Sequence, residues 1–108
     1  MKVDLNVGER MMVLGMMPKE GSIVTLRLTR GLVEKLGLSA QEIQEFGVVE
    51  ETVDNQNMVR WNAAGSTPKE IEFAEVESDL IRKELRKLDT GEKLTAGMIP
   101  IYEKFMEA

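Results

Sequence analysis

The spacing of apolar residues predicts a helix close to the start of the chain. Apolar side chains recur every three or four positions between Val7 and Leu14, which places them on one helical face. Asn6 precedes this run and Glu9 follows three residues later, a capping box in which each side chain accepts a hydrogen bond from the other residue's backbone N–H. Pro18 interrupts the pattern, so we expect the helix to end before it.

The next segment, residues 22–38, fits two patterns. Residues 24–28 alternate between apolar and polar side chains, as in a half-buried strand. The whole segment also gathers its apolar residues on one arc of a helical wheel, with Ser22 as N-cap and Gly37 just beyond the end. The helical pattern accounts for about fourteen residues and the strand pattern for about six, so we favour a helix. Gly31 lies inside it and costs on the order of 1 kcal/mol relative to alanine.

A second capping box predicts a short third helix. Ser39 is followed three residues later by Glu42, and the pattern continues to Phe46. Gly47 is placed to end this helix in the left-handed conformation. Three helices are therefore expected within the first 47 residues.

The middle of the chain has β-strand character. Residues 48–53 and 58–62 are rich in strand-forming side chains, and residues 54–57 between them have the composition of a turn. Residues 69–73 alternate as a third strand. Because an isolated hairpin is marginally stable in water, we expect a short antiparallel meander that packs on the helices.

Two helices are predicted at the C-terminal end. Residues 74–89 carry an apolar stripe, with acidic residues in the first turns and basic residues in the last, as the helix dipole favours. A final helix is expected to begin near Pro100, since proline fits only the first turn of a helix. The predicted fold is α+β in a single domain spanning 1–108, with three N-terminal helices, a short three-stranded antiparallel meander and two C-terminal helices.

Several short motifs along this framework resemble a group of phage proteins. Gly-Glu-Arg at 8–10, Met-Pro-Lys-Glu-Gly at 17–21, Trp61 after the hairpin, Lys-Glu-Ile-Glu at 69–72 and Tyr-Glu-Lys-Phe at 102–105 follow one another in this order. The chain resembles, over most of its length, small uncharacterised proteins encoded in phage and prophage genomes, although Pro100 departs from the uninterrupted last helix of that pattern. The resemblance implies a phage or prophage product in the bacterial cytoplasm and implies no activity.

The composition removes most catalytic chemistry from consideration. The chain has no His and no Cys, which are the commonest general base, metal ligand and thiol nucleophile. It also has no glycine-rich phosphate loop and no nucleophile motif of the G-x-S-x-G or S-x-x-K type. We therefore predict a protein that is not an enzyme and needs no cofactor.

The charge distribution argues against nucleic acid as a partner. The formal net charge is −5, and neither residues 1–47, 48–73 nor 74–108 carry an excess of basic groups. Phosphate neutralisation supplies most non-specific affinity for DNA, and anionic membrane surfaces attract basic segments in the same way. The competing hypothesis is a winged-helix regulator that reads DNA with helix 39–46, which carries no basic residue. The longest apolar run is too short to cross a bilayer, and a cytoplasmic location is expected.

Acidic residues cluster near the third strand and the helix that follows it. Such carboxylates suit a divalent cation when several converge on one point. A solvated strand edge followed by acids at a helix N-terminus explains the same residues without a metal, and we favour that interpretation. The cluster consists of Glu70, Glu72, Glu75 and Asp79.

Apolar side chains in excess of one core predict an interface. The methionines around the first helix outnumber the positions on one buried stripe, and flexible methionine side chains suit adaptable contacts. We therefore predict a protein partner, most simply a second copy in a homodimer. Trp61, which shares a strand face with Val59, is expected to be buried. The candidate interface residues are Met11, Met12, Met16, Met17, Tyr102 and Phe105.

Overall fold

The computed structural model describes residues 1–107 and shows an α+β arrangement with two separate small sheets. In chain order, the elements are β1 (Lys2–Leu5), α1 (Val7–Gly15), α2 (Ile23–Leu36), α3 (Ala40–Glu45), β2 (Val49–Val53), β3 (Gln56–Arg60), β4 (Lys69–Glu72), α4 (Glu75–Thr90) and α5 (Ile99–Met106), with 3-10 turns at Ala63–Ser66 and Ala96–Met98. The predicted order of three helices, strands and two helices is present. A strand that was not predicted precedes it.

The predicted three-stranded meander is wrong. β4 does not pair with the β2–β3 hairpin; it pairs antiparallel with β1, so that Val3 lies opposite Ile71. The physical reason is that β1 and β4 have matching alternation. Val3 and Leu5 on β1, and Ile71 and Phe73 on or just after β4, are all buried, whereas neither hairpin strand has a buried residue. Pairing with β1 extends an apolar face that the hairpin does not possess.

Segment 22–38 is a helix, as favoured from its periodicity. Ser22 is its N-cap, and its hydroxyl accepts a hydrogen bond from the Thr25 backbone N–H at 3.1 Å. Gly37 ends the helix in an extended conformation. Glycine is needed here for steric reasons, because a Cβ at this position would lie 2.7 Å from the Val33 carbonyl oxygen.

The other helix ends follow the expected chemistry. Both predicted capping boxes are formed, at the starts of α1 and α3. Gly47 has a φ of 59° after α3, the left-handed conformation that glycine adopts at low cost. Pro100 lies in the first turn of α5, where its missing N–H leaves no intrahelical bond unmade.

Replacing Gly31 with alanine should stabilise the protein by about 0.5–1 kcal/mol. Gly31 lies in the interior of α2, and a Cβ there would meet no atom within 4 Å, so the methyl group removes backbone entropy from the unfolded chain without a clash. Chemical denaturation of the two proteins measures this difference. Gly37→Ala is the control and should destabilise the protein, since its Cβ would collide with the Val33 carbonyl oxygen. Equal effects of the two changes would contradict the prediction that only position 31 has room for a methyl group.

The core lies between the β1–β4 sheet and helices α1, α2, α4 and α5. The rings of Phe73 and Phe105 meet edge to face at its centre, with centroids 5.4 Å apart and planes at 66°. The buried hydrophobic cluster comprises Val3, Leu5, Val13, Met17, Leu32, Leu36, Ile71, Phe73, Leu80, Ile81, Leu85, Ile101 and Phe105. Within residues 1–107, no helix combines the length and apolar character needed to span a membrane.

Candidate functional site

The most buried charged side chain of the fold belongs to Arg10 on α1, which is 2% exposed. Its guanidinium donates to the Leu36 carbonyl through Nε at 3.0 Å and to the Gly37 carbonyl through Nη2 at 2.9 Å. It also forms a fork with Glu42, from Nη1 to Oε2 at 2.7 Å and from Nη2 to Oε1 at 3.2 Å. Arg10 therefore connects α1 to the end of α2 and the start of α3.

Glu42 completes this arrangement from α3. Its carboxylate accepts the two Arg10 hydrogen bonds and also the Ser39 backbone N–H at 3.1 Å, which is the capping box seen in the sequence. Lys69 lies 3.8 Å away on β4. The hydrogen bond from Arg10 is the main reason that the pKa of Glu42 is lowered from 4.5 to about 2, and the Ser39 N–H and Lys69 act in the same direction. The carboxylate stays ionised over the whole physiological range.

An open groove of about 980 Å³ lies above this ion pair, between α2, α3 and the segment that leads into β4. The Arg10 and Glu42 side chains at its floor already form hydrogen bonds with each other and with the backbone. Throughout the described part of the chain, every buried side-chain nitrogen or oxygen has a hydrogen-bond partner. The groove is thus a structural junction between helices, and we do not assign it a ligand.

Two further carboxylates repeat the arrangement of Glu42. Glu9 caps the start of α1 and binds Lys104 of α5 at 2.9 and 3.0 Å. Glu77 accepts the Ala74 N–H at the start of α4 and binds Lys35 of α2 at 2.6 Å. Burial opposes ionisation of Glu77, but these hydrogen bonds outweigh it and lower its pKa. Each of the three carboxylates joins a helix start to a cation on a distant element.

The β2–β3 hairpin is built differently from the rest of the molecule. Its turn consists of two residues, Asp54 and Asn55, with φ values of 51° and 64°. Two successive positive φ values are those of a type I′ turn, which matches the twist of the flanking strands. The turn is therefore shorter than the four-residue loop that the sequence indicated, and β3 begins at Gln56.

One face of the hairpin exposes a row of apolar side chains. Because Glu51 lies opposite Met58 in the register, Val49, Val53 and Met58 share one face, where they are 48%, 45% and 49% exposed. An ion pair between Arg60 and Glu51 lies on the same face. We call Val49, Val53 and Met58, with this ion pair, the outer face of the hairpin.

The hairpin is attached to the body at its base. Trp61 follows β3, and a Cβ on Gly65 or Gly8 would lie 2.6 or 3.2 Å from its indole ring, so the ring sits against both glycines. Asn62 donates from its backbone to the Phe46 carbonyl at 2.7 Å. Trp61 is half-buried rather than fully buried as expected, because the indole seals the hairpin base instead of entering the core.

The structure separates the six predicted interface residues into three environments. Met17 and Phe105 are buried in the core, so they are not available to a partner. Met16 and Tyr102 are half-buried and pack against that core. Only Met11 and Met12 remain exposed, each by 38%, and the end of the Met12 side chain lies close to Gly97. These six side chains do not form one surface.

The acidic cluster does not converge on a point. Glu70 lies near Lys2 at 3.8 Å and Asp79 near Arg82 at 3.6 Å, and all four carboxylates are exposed. Among residues 1–107, no group of three or more potential ligands is arranged to hold a metal ion. The solvated interpretation of Glu70, Glu72, Glu75 and Asp79 agrees with these positions.

The exposed apolar surface that sequence reasoning did not single out is the outer face of the hairpin. Its signal was the alternation of Val49, Glu51 and Val53, which places two valines on one side of a strand. The chain shows no match in comparisons with models of protein families, with curated proteins or with solved structures.

Proposed function

We propose that this protein is a non-enzymatic binding or assembly protein that acts through protein–protein contacts and forms a homodimer. The observation that carries the proposal is the hairpin. Its strands have no buried residue, yet its outer face presents three apolar side chains that are each about half exposed. A two-stranded hairpin is marginal on its own, so contact with another chain, by strand pairing or by packing on this face, would stabilise it.

The setting proposed with this function is a phage or prophage product in the bacterial cytoplasm. The support is the resemblance of the motifs at 8–10, 17–21, 69–72 and 102–105, together with Trp61.

The competing function, a winged-helix regulator, has weaker physical support. The chain does order three helices before a hairpin, and α3 would occupy the recognition position. Its exposed residues are Ala40, Gln41, Ile43, Gln44 and Glu45, none of which attracts phosphate. The overall charge of −5 also disfavours binding to DNA.

Light scattering coupled to gel filtration tests the proposal. We expect a mass of about twice the 12.2 kDa of one chain, decreasing towards 12.2 kDa only on dilution. A mass of one chain across a hundredfold range of concentration would contradict the homodimer. Duplex binding at low salt, measured by anisotropy, distinguishes the competing function, because affinity tighter than about micromolar exceeds typical non-specific binding.

A further inference from the structure

We propose that two copies of this chain join edge to edge through β3, antiparallel, with Met58 of each copy beside Met58 of the other. This inference rests on the proposed homodimer and names its surface. The result would be a four-stranded sheet in the order β2-β3-β3-β2. On the joined outer face, the two Met58 side chains would meet at the centre, each with Glu51 of its own copy on the other side, and Val49 and Val53 would lie on the outer strands.

The edge of β3 is free to accept another strand. The β2–β3 sheet has only two strands, so each has one paired and one unpaired edge. Within residues 1–107, no backbone hydrogen bond reaches residues 56–60 from outside the hairpin. Unpaired N–H and C=O groups along an edge are a template for pairing with another chain.

The hairpin register fixes which backbone groups point outwards. In the turn, Val53 and Gln56 are the residues joined by the turn hydrogen bond, so they form a hydrogen-bonded pair. Such pairs alternate along an antiparallel ladder, which leaves the N–H and C=O groups of Asn57 and Val59 on the outer edge. When Asn57 of one copy pairs with Val59 of the other, Met58 falls on the two-fold axis. It then faces its counterpart at a non-hydrogen-bonded position, where side chains approach most closely.

Charge favours the β3 edge over the β2 edge. If two β2 strands paired antiparallel about Glu51, the Glu51 carboxylates of the two copies would lie opposite each other. If the centre moved by one residue, Glu50 would lie opposite either Glu50 or Asp54 of the other copy. Like charges directly opposite one another destabilise a strand pair. The only charged residue of β3 is Arg60, which lies opposite the neutral Gln56 of the second copy in the proposed register.

The attachment of the hairpin determines where the body of the second copy lies. Each hairpin joins its body at the end that contains Val49 and Arg60, next to Trp61, and its turn lies at the opposite end. Antiparallel pairing about Met58 therefore places the two bodies at opposite ends of the joined sheet.

A single cysteine tests the register directly, since the chain has none of its own. Met58→Cys should give a covalent dimer under mild oxidation, because the Cα atoms of a non-hydrogen-bonded pair are about 4.5 Å apart, within the range of a disulfide. Val49→Cys is the matched control, with the same exposure on the same face but a position on the outer strand of the joined sheet. Equal crosslinking of both variants, or none at residue 58, would overturn the inference.

A pair of proline variants tests the edge independently. Asn57→Pro removes an outward N–H from the β3 edge, and Thr52→Pro removes the equivalent N–H from the β2 edge. Both delete the same hydrogen bond between the Thr52 hydroxyl and the Asn57 side chain. We expect Asn57→Pro to weaken dimerisation at least tenfold and Thr52→Pro to leave it within about threefold. If both proline variants are monomeric, the Met58→Cys crosslink decides whether the dimer forms through the β3 edge.

The outcomes separate this inference from the proposed function. A wild-type dimer without a residue 58 disulfide, and with equal effects of the two prolines, would overturn the β3 edge and leave the homodimer standing. A wild-type protein that is monomeric over the whole concentration range would overturn both.

Discussion

Replacing Glu42 with glutamine should lower the free energy of unfolding by about 3–5 kcal/mol, the usual cost of removing one partner of a buried ion pair. Arg10 is almost completely buried, and Glu42 is the acid that balances its charge. The amide of glutamine can accept a hydrogen bond but leaves the guanidinium uncompensated. Glutamine can still accept the Ser39 N–H of the capping box, so the loss reports mainly on the Arg10 pair.

Urea or guanidinium denaturation at neutral pH measures this effect. Glu45→Gln is the matched control because it removes the same charge from an exposed position on the same helix, where changes are within about 0.5 kcal/mol. Similar losses for the two variants would show that Arg10 gains little from its partner.

The same pair predicts the pH dependence of stability. The pKa of Glu42 is about 2 in the folded protein and 4.5 in a model compound, so the unfolded chain takes up a proton first as pH falls. The stabilisation is complete above pH 4.5 and is lost as pH decreases towards 2, with a total of about 3 kcal/mol. The gap in stability between wild type and Glu42→Gln should narrow over this interval. A constant gap would contradict the low pKa.

Replacing Phe105 with alanine should destabilise the fold by about 3–5 kcal/mol, the range for a large aromatic removed from a core. Phe105 is 1% exposed and its ring meets Phe73 edge to face. Its backbone carbonyl also accepts a hydrogen bond from Arg82 at 2.8 Å, so the surrounding backbone is held in place around the cavity.

Thermal and chemical denaturation check this prediction, and Ile99→Ala is its control on the exposed side of the same helix. Light scattering adds a second measurement, because Phe105 was first predicted as an interface residue. If Phe105→Ala dissociated the dimer without loss of stability, the residue would act at an interface and the core assignment would be wrong.

Helices were predictable from this sequence because their signals are local. The Asn6/Glu9 and Ser39/Glu42 pairs each lie within four residues, and both boxes form as expected. Pro100 in the first turn of α5 and Gly47 after α3 are local signals of the same kind.

Strand pairing was not predictable for the opposite reason. Val3 pairs with Ile71 across 68 residues, and nothing near either residue identifies its partner. The alternation of residues 2–5 was present but too short to stand out from the capping signal that follows it. Proximity in sequence therefore predicts pairing of the third strand with the hairpin, whereas the strand pairs with β1.

Core and surface could not be separated among the methionines by pattern alone. Met16 and Met17 lie beyond the last full turn of α1, where helical periodicity no longer determines direction. The buried position of Met17 follows from tertiary packing. The methionine pattern therefore predicts an interface at α1, whereas the exposed apolar side chains lie on the hairpin.

The three capping carboxylates also bear on the order in which the molecule assembles. Each helix start forms with residues close in sequence, but the cations lie 32, 42 and 95 residues away from Glu42, Glu77 and Glu9. Closing a longer loop costs more chain entropy, and contacts between distant residues form more slowly. We therefore expect Glu9 to take part in an early local event at α1 and, through Lys104, in a later closure of the chain. A single side chain at residue 9 links the nucleation of the first helix to the docking of the final one.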